Sequence, residues 1–146
     1  MVCLGNICRS PLAEGILQEK INSKGLDIEV DSAGTGSWHI GKKPDSRSIE
    51  VAKKYQIDIS NQRARQFSTN DFKEFDVIYA MDGSNLSDIV SMASGADEIK
   101  KVKLILNETS PTKNNPVPDP YYGEEDGFEN VYRLLDEACE EIIKNI

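Results

Sequence analysis

The run Met1-Val2-Cys3-Leu4-Gly5-Asn6-Ile7-Cys8-Arg9-Ser10-Pro11 puts a thiol, a tight loop, a guanidinium and a hydroxyl in close succession. Pro11 suits a first helical turn, where its missing N–H is no loss, and Ser10 ahead of it is a good N-cap. The spacing therefore predicts a loop that begins at Cys3 and ends at a helix N-terminus. Loop N–H groups and the helix dipole favour an anion there. The same field favours a thiolate at Cys3. Arg9 adds a planar fork of donors that matches the oxygens of a phosphate. A nucleophile at the bottom of an anion cradle points to covalent phosphoryl transfer.

Such a transfer needs a general acid for the leaving oxygen. Asp119 is the strongest candidate, held between Pro118 and Pro120 in Val117-Pro118-Asp119-Pro120-Tyr121-Tyr122. Flanking prolines stiffen the backbone and hold the side chain where it is presented. Asp45 and Asp82 are weaker candidates: Asp45 reads as a helix cap and Asp82 as a turn former.

The elements that must position these groups alternate. Apolar residues at 12, 13, 16, 17 and 21 have helical spacing, ended by Lys24-Gly25. Residues 28–31 alternate as a strand and run into a turn at Ser32-Ala33-Gly34. Asp45 opens a second helix reaching Tyr55, and residues 68–75 make a short helical turn. Residues 76–81 are a nearly continuous apolar run, as in a central parallel strand. A helix follows with Leu86, Ile89, Val90 and Ala93 on one face, then a strand over 102–106. Residues 107–125 form a long loop with prolines at 111, 116, 118 and 120. The last helix keeps Phe128, Val131, Leu134, Leu135, Ala138, Ile142 and Ile143 on one stripe. This alternation implies a parallel sheet covered on both faces. The cysteine loop and the Ser32, Asp82 and proline-rich loops then meet at the carboxyl edge of the strands, where such sheets bind ligands.

The bulk properties bound the function. The 146 residues suit one domain, 1–146, and the net charge of −8 argues against nucleic acid or an anionic membrane as partner. With no apolar run long enough to span a bilayer and no basic-then-apolar leader, the expectation is a soluble cytoplasmic protein. The Cys total of 3 is odd and makes no secreted disulfide framework, and Cys3 and Cys8 lack the usual zinc spacing. No metal or other cofactor is expected.

The sequence resembles the low-molecular-weight protein tyrosine phosphatase family. The resemblance rests on Val2 to Pro11, Asp31-Ser32-Ala33-Gly34-Thr35, Ala64-Arg65-Gln66, Met81-Asp82-Gly83-Ser84-Asn85 and Asp119-Pro120-Tyr121-Tyr122, in order along nearly the whole chain. It implies a three-layer, flavodoxin-like α/β domain, with a four-stranded parallel sheet in the order 2-1-3-4. It implies that Cys3 attacks phosphorus to form a phosphocysteine. Arg9 and the N–H groups of Leu4, Gly5, Asn6, Ile7 and Cys8 would bind the phosphoryl oxygens. Asp119 would protonate the departing phenol and then activate water. Ser10 would hydrogen-bond the Cys3 sulfur, and Asn6 would pin the loop through a network that includes Ser32. Cys8 would form a reversible disulfide with Cys3. The substrate would be a phosphotyrosine protein, the product inorganic phosphate, and the enzyme a monomer or weak dimer.

Trp38, His39, Tyr121 and Tyr122 are candidates for an aromatic pocket wall, with Trp38 the strongest and His39 otherwise a surface residue. An apolar Ile7 favours an aryl phosphate over a guanidinium, because the phosphoarginine-preferring relatives carry Thr at that place. The chain departs from the family pattern in two ways. Only Met1 and Val2 precede Cys3, which truncates the first strand. No histidines stand near Tyr55-Gln56 and Gln62, so the support of Asn6 must be built differently. The alternatives are a non-catalytic oxyanion binder on the same fold, and an arsenate reductase, which needs two further redox cysteines where this chain has Cys139 alone.

Overall fold

The computed structural model describes residues 1–121, 123 and 126–146. Its sheet has four strands, all parallel, in the order β2-β1-β3-β4. The strands are short: β1 Val2–Cys3, β2 Ala33–Gly34, β3 Ile78–Ala80 and β4 Val102–Leu104. The helices are α1 (Arg9–Lys24), α2 (Ser46–Lys54), α3 (Asp71–Glu74), α4 (Gly83–Met92), α5 (Ala96–Ile99) and α6 (Asp126–Lys144).

Alternation along β1 feeds two cores, one on each face of the sheet. Cys3 joins the larger, with Leu12, Ile16 and Ile21 of α1, Val51 of α2, and Val131, Leu135 and Ile142 of α6. Val2 joins the smaller, with Phe67, Phe72, Ile89 and Leu104. The α6 stripe appears as expected: Val131, Leu135 and Ala138 are fully buried. Burying one such leucine stabilises the fold by about 2 kcal/mol, so a charge at Leu135 would undo the α1–α6 seam.

Most boundaries follow the sequence, with informative exceptions. Gly25 ends α1 at φ 65, the left-handed cap expected of it. Asp45 and Asp82 cap α2 and α4, accepting from the N–H groups of Arg47 and Asn85. Ser10 is not the cap of α1: the helix already begins at Arg9, with Cys8 as N-cap and no side-chain bond to it. The Ser10 hydroxyl is drawn instead toward the Cys3 sulfur and the Asn6 amide. The second strand lies at Ala33–Gly34, not at residues 28–31. The ladder register pairs Val2 with Ala33 and Cys3 with Gly34; ahead of it Met1 still donates its terminal N–H to the Asp31 carbonyl at 3.0 Å and accepts the Ala33 N–H at 2.9 Å. Ile28 and Val30 still pack on the larger core. The strand expected over 102–106 stops at Leu104, and residues 105–108 turn into a 3-10 helix. The short α5 had no clear periodic signal.

These pieces hold the cysteine loop against β2. Thr35 and Gly36 donate to the carbonyls of Cys3 and Leu4 at 2.9 and 2.8 Å. The chains pass so closely that a Cβ on Gly34 would sit 2.8 Å from the Leu4 carbonyl oxygen and 3.0 Å from the Gly5 carbonyl carbon. Only glycine permits that approach.

Candidate active site

The cysteine loop wraps the Cys3 sulfur. Cys3 is buried at the end of β1, and its sulfur accepts the Asn6 N–H at 3.2 Å. The Ser10 hydroxyl lies 3.0 Å from the same sulfur. The tight reversal requires Asn6 at φ 57, a left-handed conformation that asparagine tolerates better than most residues. Its side chain secures the turn, with Nδ2 donating to Ser10 Oγ at 2.8 Å and to Ser32 Oγ at 3.0 Å. Its Oδ1 accepts the Arg65 N–H at 3.0 Å. Ser32 in turn donates to Glu14 at 2.7 Å. Each hydroxyl thus accepts once and has one proton left to give, so Ser10 can direct its own to the sulfur. Burial pushes the Glu14 carboxyl above the usual range, against the opposing pull of the Ser32 hydrogen bond.

Arg9 reaches the site from the first residue of α1, with a side chain only 4% exposed. Its Nη1 donates to Asp82 Oδ2 at 2.6 Å and to the Val117 carbonyl at 2.9 Å. A buried guanidinium needs such partners. The Nη2 edge faces the proline-rich loop, 3.8 Å from Asp119 Oδ2. Asp119 itself is partly exposed, and its Oδ1 accepts the Tyr121 N–H at 3.0 Å. Upstream, Val117 is fixed to the sheet, its N–H bonded to the Met81 carbonyl at 2.8 Å.

These groups share one cavity of about 430 Å³, lined by Cys3, Leu4, Gly5, Ile7, Cys8 and Arg9 with Trp38, His39, Asp119 and Tyr121. Trp38 is 69% exposed at the rim. Its ring lies over Gly36, where a Cβ would come within 2.0 Å of it. His39 packs over Gly5, so it belongs to the wall and is more than a surface residue. Tyr122 lies outside the described residues. Burial pushes the Cys8 thiol up to about 12. Cys139 is fully buried in the larger core, its thiol likewise pushed up to about 12, which marks it as packing. Among the described residues no group of His, Cys, Asp or Glu is arranged to hold a metal ion. No helix there is long and apolar enough to cross a membrane.

The family model described as low molecular weight phosphotyrosine protein phosphatase matches residues 1–146. The chain belongs to that family. The phosphatase of this name from Schizosaccharomyces pombe is 44% identical, the match covering 99% of this chain and 94% of the relative. The crystal structure of a protein tyrosine phosphatase from Entamoeba histolytica with Hepes in its active site superposes with a TM-score of 0.92. It is 38% identical, over 99% of this chain and 92% of that one. The YfkJ structure from Bacillus subtilis gives a TM-score of 0.91 at 40% identity, over 99% and 91% of the two chains.

Three members of this family site were not given their roles by sequence reasoning. By its sequence Asp82 is a turn former, yet it anchors Arg9 as well as capping α4. Its place directly after a central strand, together with the need of a buried arginine for a carboxylate, was the available signal. Glu14 was not singled out, although it stands one helical turn beyond Ser10 on α1, on the same face. Arg65 holds Asn6 through a backbone N–H, which no side-chain pattern announces. Its guanidinium pairs with Asp31 and Asp71 at 3.1 and 3.0 Å and keeps that backbone in place. Ser32, Glu14 and Arg65 are therefore how Asn6 is supported without histidine.

Proposed function

We propose that the chain hydrolyses aryl phosphate monoesters, phosphotyrosine in proteins foremost, through a phosphocysteine. One observation carries the reading: the sulfur of Cys3, which accepts the Asn6 N–H and lies 3.0 Å from the Ser10 hydroxyl, shares a cavity with a buried Arg9 and with Asp119.

In the first step the Cys3 thiolate attacks phosphorus. The S–P bond forms as the P–O bond to the phenol breaks, and Asp119 gives its proton to that oxygen. Arg9 and the loop N–H groups of residues 4–8 stabilise the charge on the equatorial oxygens. In the second step water attacks phosphorus and passes a proton to the Asp119 carboxylate. The S–P bond breaks, inorganic phosphate leaves, and Ser10 steadies the returning thiolate. Residues 1–146 supply every group in this scheme, which supports reading them as one catalytic domain.

The pocket's chemistry supports an aryl ester. Ile7 lines it as an apolar side chain, and Trp38, His39 and Tyr121 offer ring surface to a phenyl group. Cys8 lies in the same lining and suits a protective role. A peroxide oxidises the Cys3 thiolate to a sulfenic acid, and the Cys8 thiol then displaces water from it to close a disulfide.

Turnover of p-nitrophenyl phosphate by the wild type, Cys3→Ser and Asp119→Ala tests the reading. Cys3→Ser should be inactive while still binding phosphate. Asp119→Ala should lose about 10²–10⁴-fold in kcat/KM on phenyl phosphate, whose leaving group is poor. Retained turnover by Cys3→Ser would sink the mechanism.

A further inference from the structure

We propose that Arg47 is a positioning residue for Asp119, the centre of a strap that ties the acid loop to the cysteine loop. The inference rests on the reading of Asp119 as general acid.

The strap runs through named bonds. The Asp45 N–H donates to the Ile7 carbonyl at 2.8 Å, fixing the start of α2 to the cysteine loop. The Asp45 carboxylate grips Arg47 at two points, accepting from Nε at 3.0 Å and from Nη2 at 2.9 Å. The same Nη2 donates to the Tyr121 carbonyl at 3.2 Å. The guanidinium carbon stands 4.6 Å from the Phe128 ring centroid and 5.5 Å from that of Tyr121. The Tyr121 N–H then holds Asp119 Oδ1.

Asp119 is thereby bracketed. Two residues upstream, Val117 is bonded to the sheet and to Arg9; two residues downstream, Tyr121 is bonded to Arg47. Between these anchors the acid sits on a loop without regular structure. Removing the Arg47 bond loosens the Tyr121 carbonyl and with it the backbone that presents the carboxyl, while Cys3 and Arg9 keep their own partners. Arginine is required because one planar fork must meet a carboxylate and a carbonyl while its face stacks on rings. A lysine ammonium, a single point charge, does not span both. The Arg47 side chain is 38% exposed, so its ion pair adds little to stability. The effect is expected in catalysis.

The experiment measures kcat/KM for phenyl phosphate and p-nitrophenyl phosphate in Arg47→Met and Arg47→Lys, each alone and combined with Asp119→Ala. Displacing an acid by a fraction of an ångström should cost about tenfold on phenyl phosphate and no more than about twofold on the better leaving group. Both Arg47 variants should show this split, and neither should lose further activity once Asp119 is alanine. Equal losses on both substrates, losses that persist beside Asp119→Ala, or full recovery by lysine would overturn the strap. Lysine keeps the charge and stem, which guards against a packing defect in the methionine variant. If Asp119→Ala alone is unimpaired on phenyl phosphate, the acid assignment fails and the strap with it. If Asp119→Ala is impaired but the Arg47 variants are not, only the strap fails.

Discussion

Replacing Asn6 separates backbone strain from side-chain bonding in the cysteine loop. The residue is 2% exposed, sits at φ 57, and uses its amide on Ser10, Ser32 and the Arg65 N–H. In Asn6→Ala the two hydroxyls keep other partners, Cys3 for Ser10 and Glu14 for Ser32, so losing those bonds costs only about 1 kcal/mol together. The Arg65 N–H has no such substitute, and leaving it unpaired costs about 2 kcal/mol. Alanine in a left-handed conformation adds about 1 kcal/mol. The sum is about 4 kcal/mol. Asn6→Gly loses the same bonds and escapes the strain, but glycine's freer unfolded chain takes back about half of that gain. Urea unfolding should therefore rank wild type above Asn6→Gly, and Asn6→Gly above Asn6→Ala by about 0.5–1 kcal/mol. Both variants should also lose at least about tenfold in kcat/KM on p-nitrophenyl phosphate, because the cradle is no longer preorganised. An alanine variant as stable as the glycine one would refute the strain argument. Full activity in both would refute the need for a pinned loop.

Gly34→Ala should destabilise the protein by about 1–3 kcal/mol and slow turnover, since its Cβ would meet only loop backbone, the Asn6 nitrogen included at 3.1 Å. Gly83→Ala, in the first turn of α4 with nothing within 4 Å, is the matched control and should be neutral or slightly stabilising; equal effects at the two sites would count against the close-approach argument. Because burial raises the Glu14 carboxyl, the native state still holds a proton that the unfolded chain has released. Stability should therefore fall as pH rises above the ordinary glutamate range. Glu14→Gln should flatten that slope and gain on the wild type toward neutral pH, and parallel stability curves would contradict the burial effect. After mild peroxide, mass spectrometry should find a Cys3–Cys8 bond and thiol should restore activity, whereas Cys8→Ser should inactivate irreversibly; equal recovery in both would remove the protective role.

The residues that the fold gathers into one cavity were legible in the sequence because their signals are local. Cys3, Arg9 and Ser10 lie within one loop and helix start, and Asp119 is marked by its flanking prolines. The α6 stripe, the Gly25 cap and the strand–helix alternation are likewise short-range patterns, and the order of the sheet came with the resemblance. What the sequence left open is long-range. Ser10 has the right chemistry for an N-cap, and only the approach of Asn6 and Cys3 turns its hydroxyl inward. A turn-forming Asp82 becomes the anchor of a buried guanidinium because β3 delivers it beside α1. The second strand lies at Ala33–Gly34 because the register with β1 pairs Val2 with Ala33 and Cys3 with Gly34, and register is a long-range fact. Arg47 reads as an ordinary charge on a helix until the fold brings the carbonyl of Tyr121 within its reach. Local propensity and side-chain chemistry act over a few residues and survive in the chain as text. Burial, pairing and the direction of a hydrogen bond depend on which distant segment arrives, and that is settled only when the layers close.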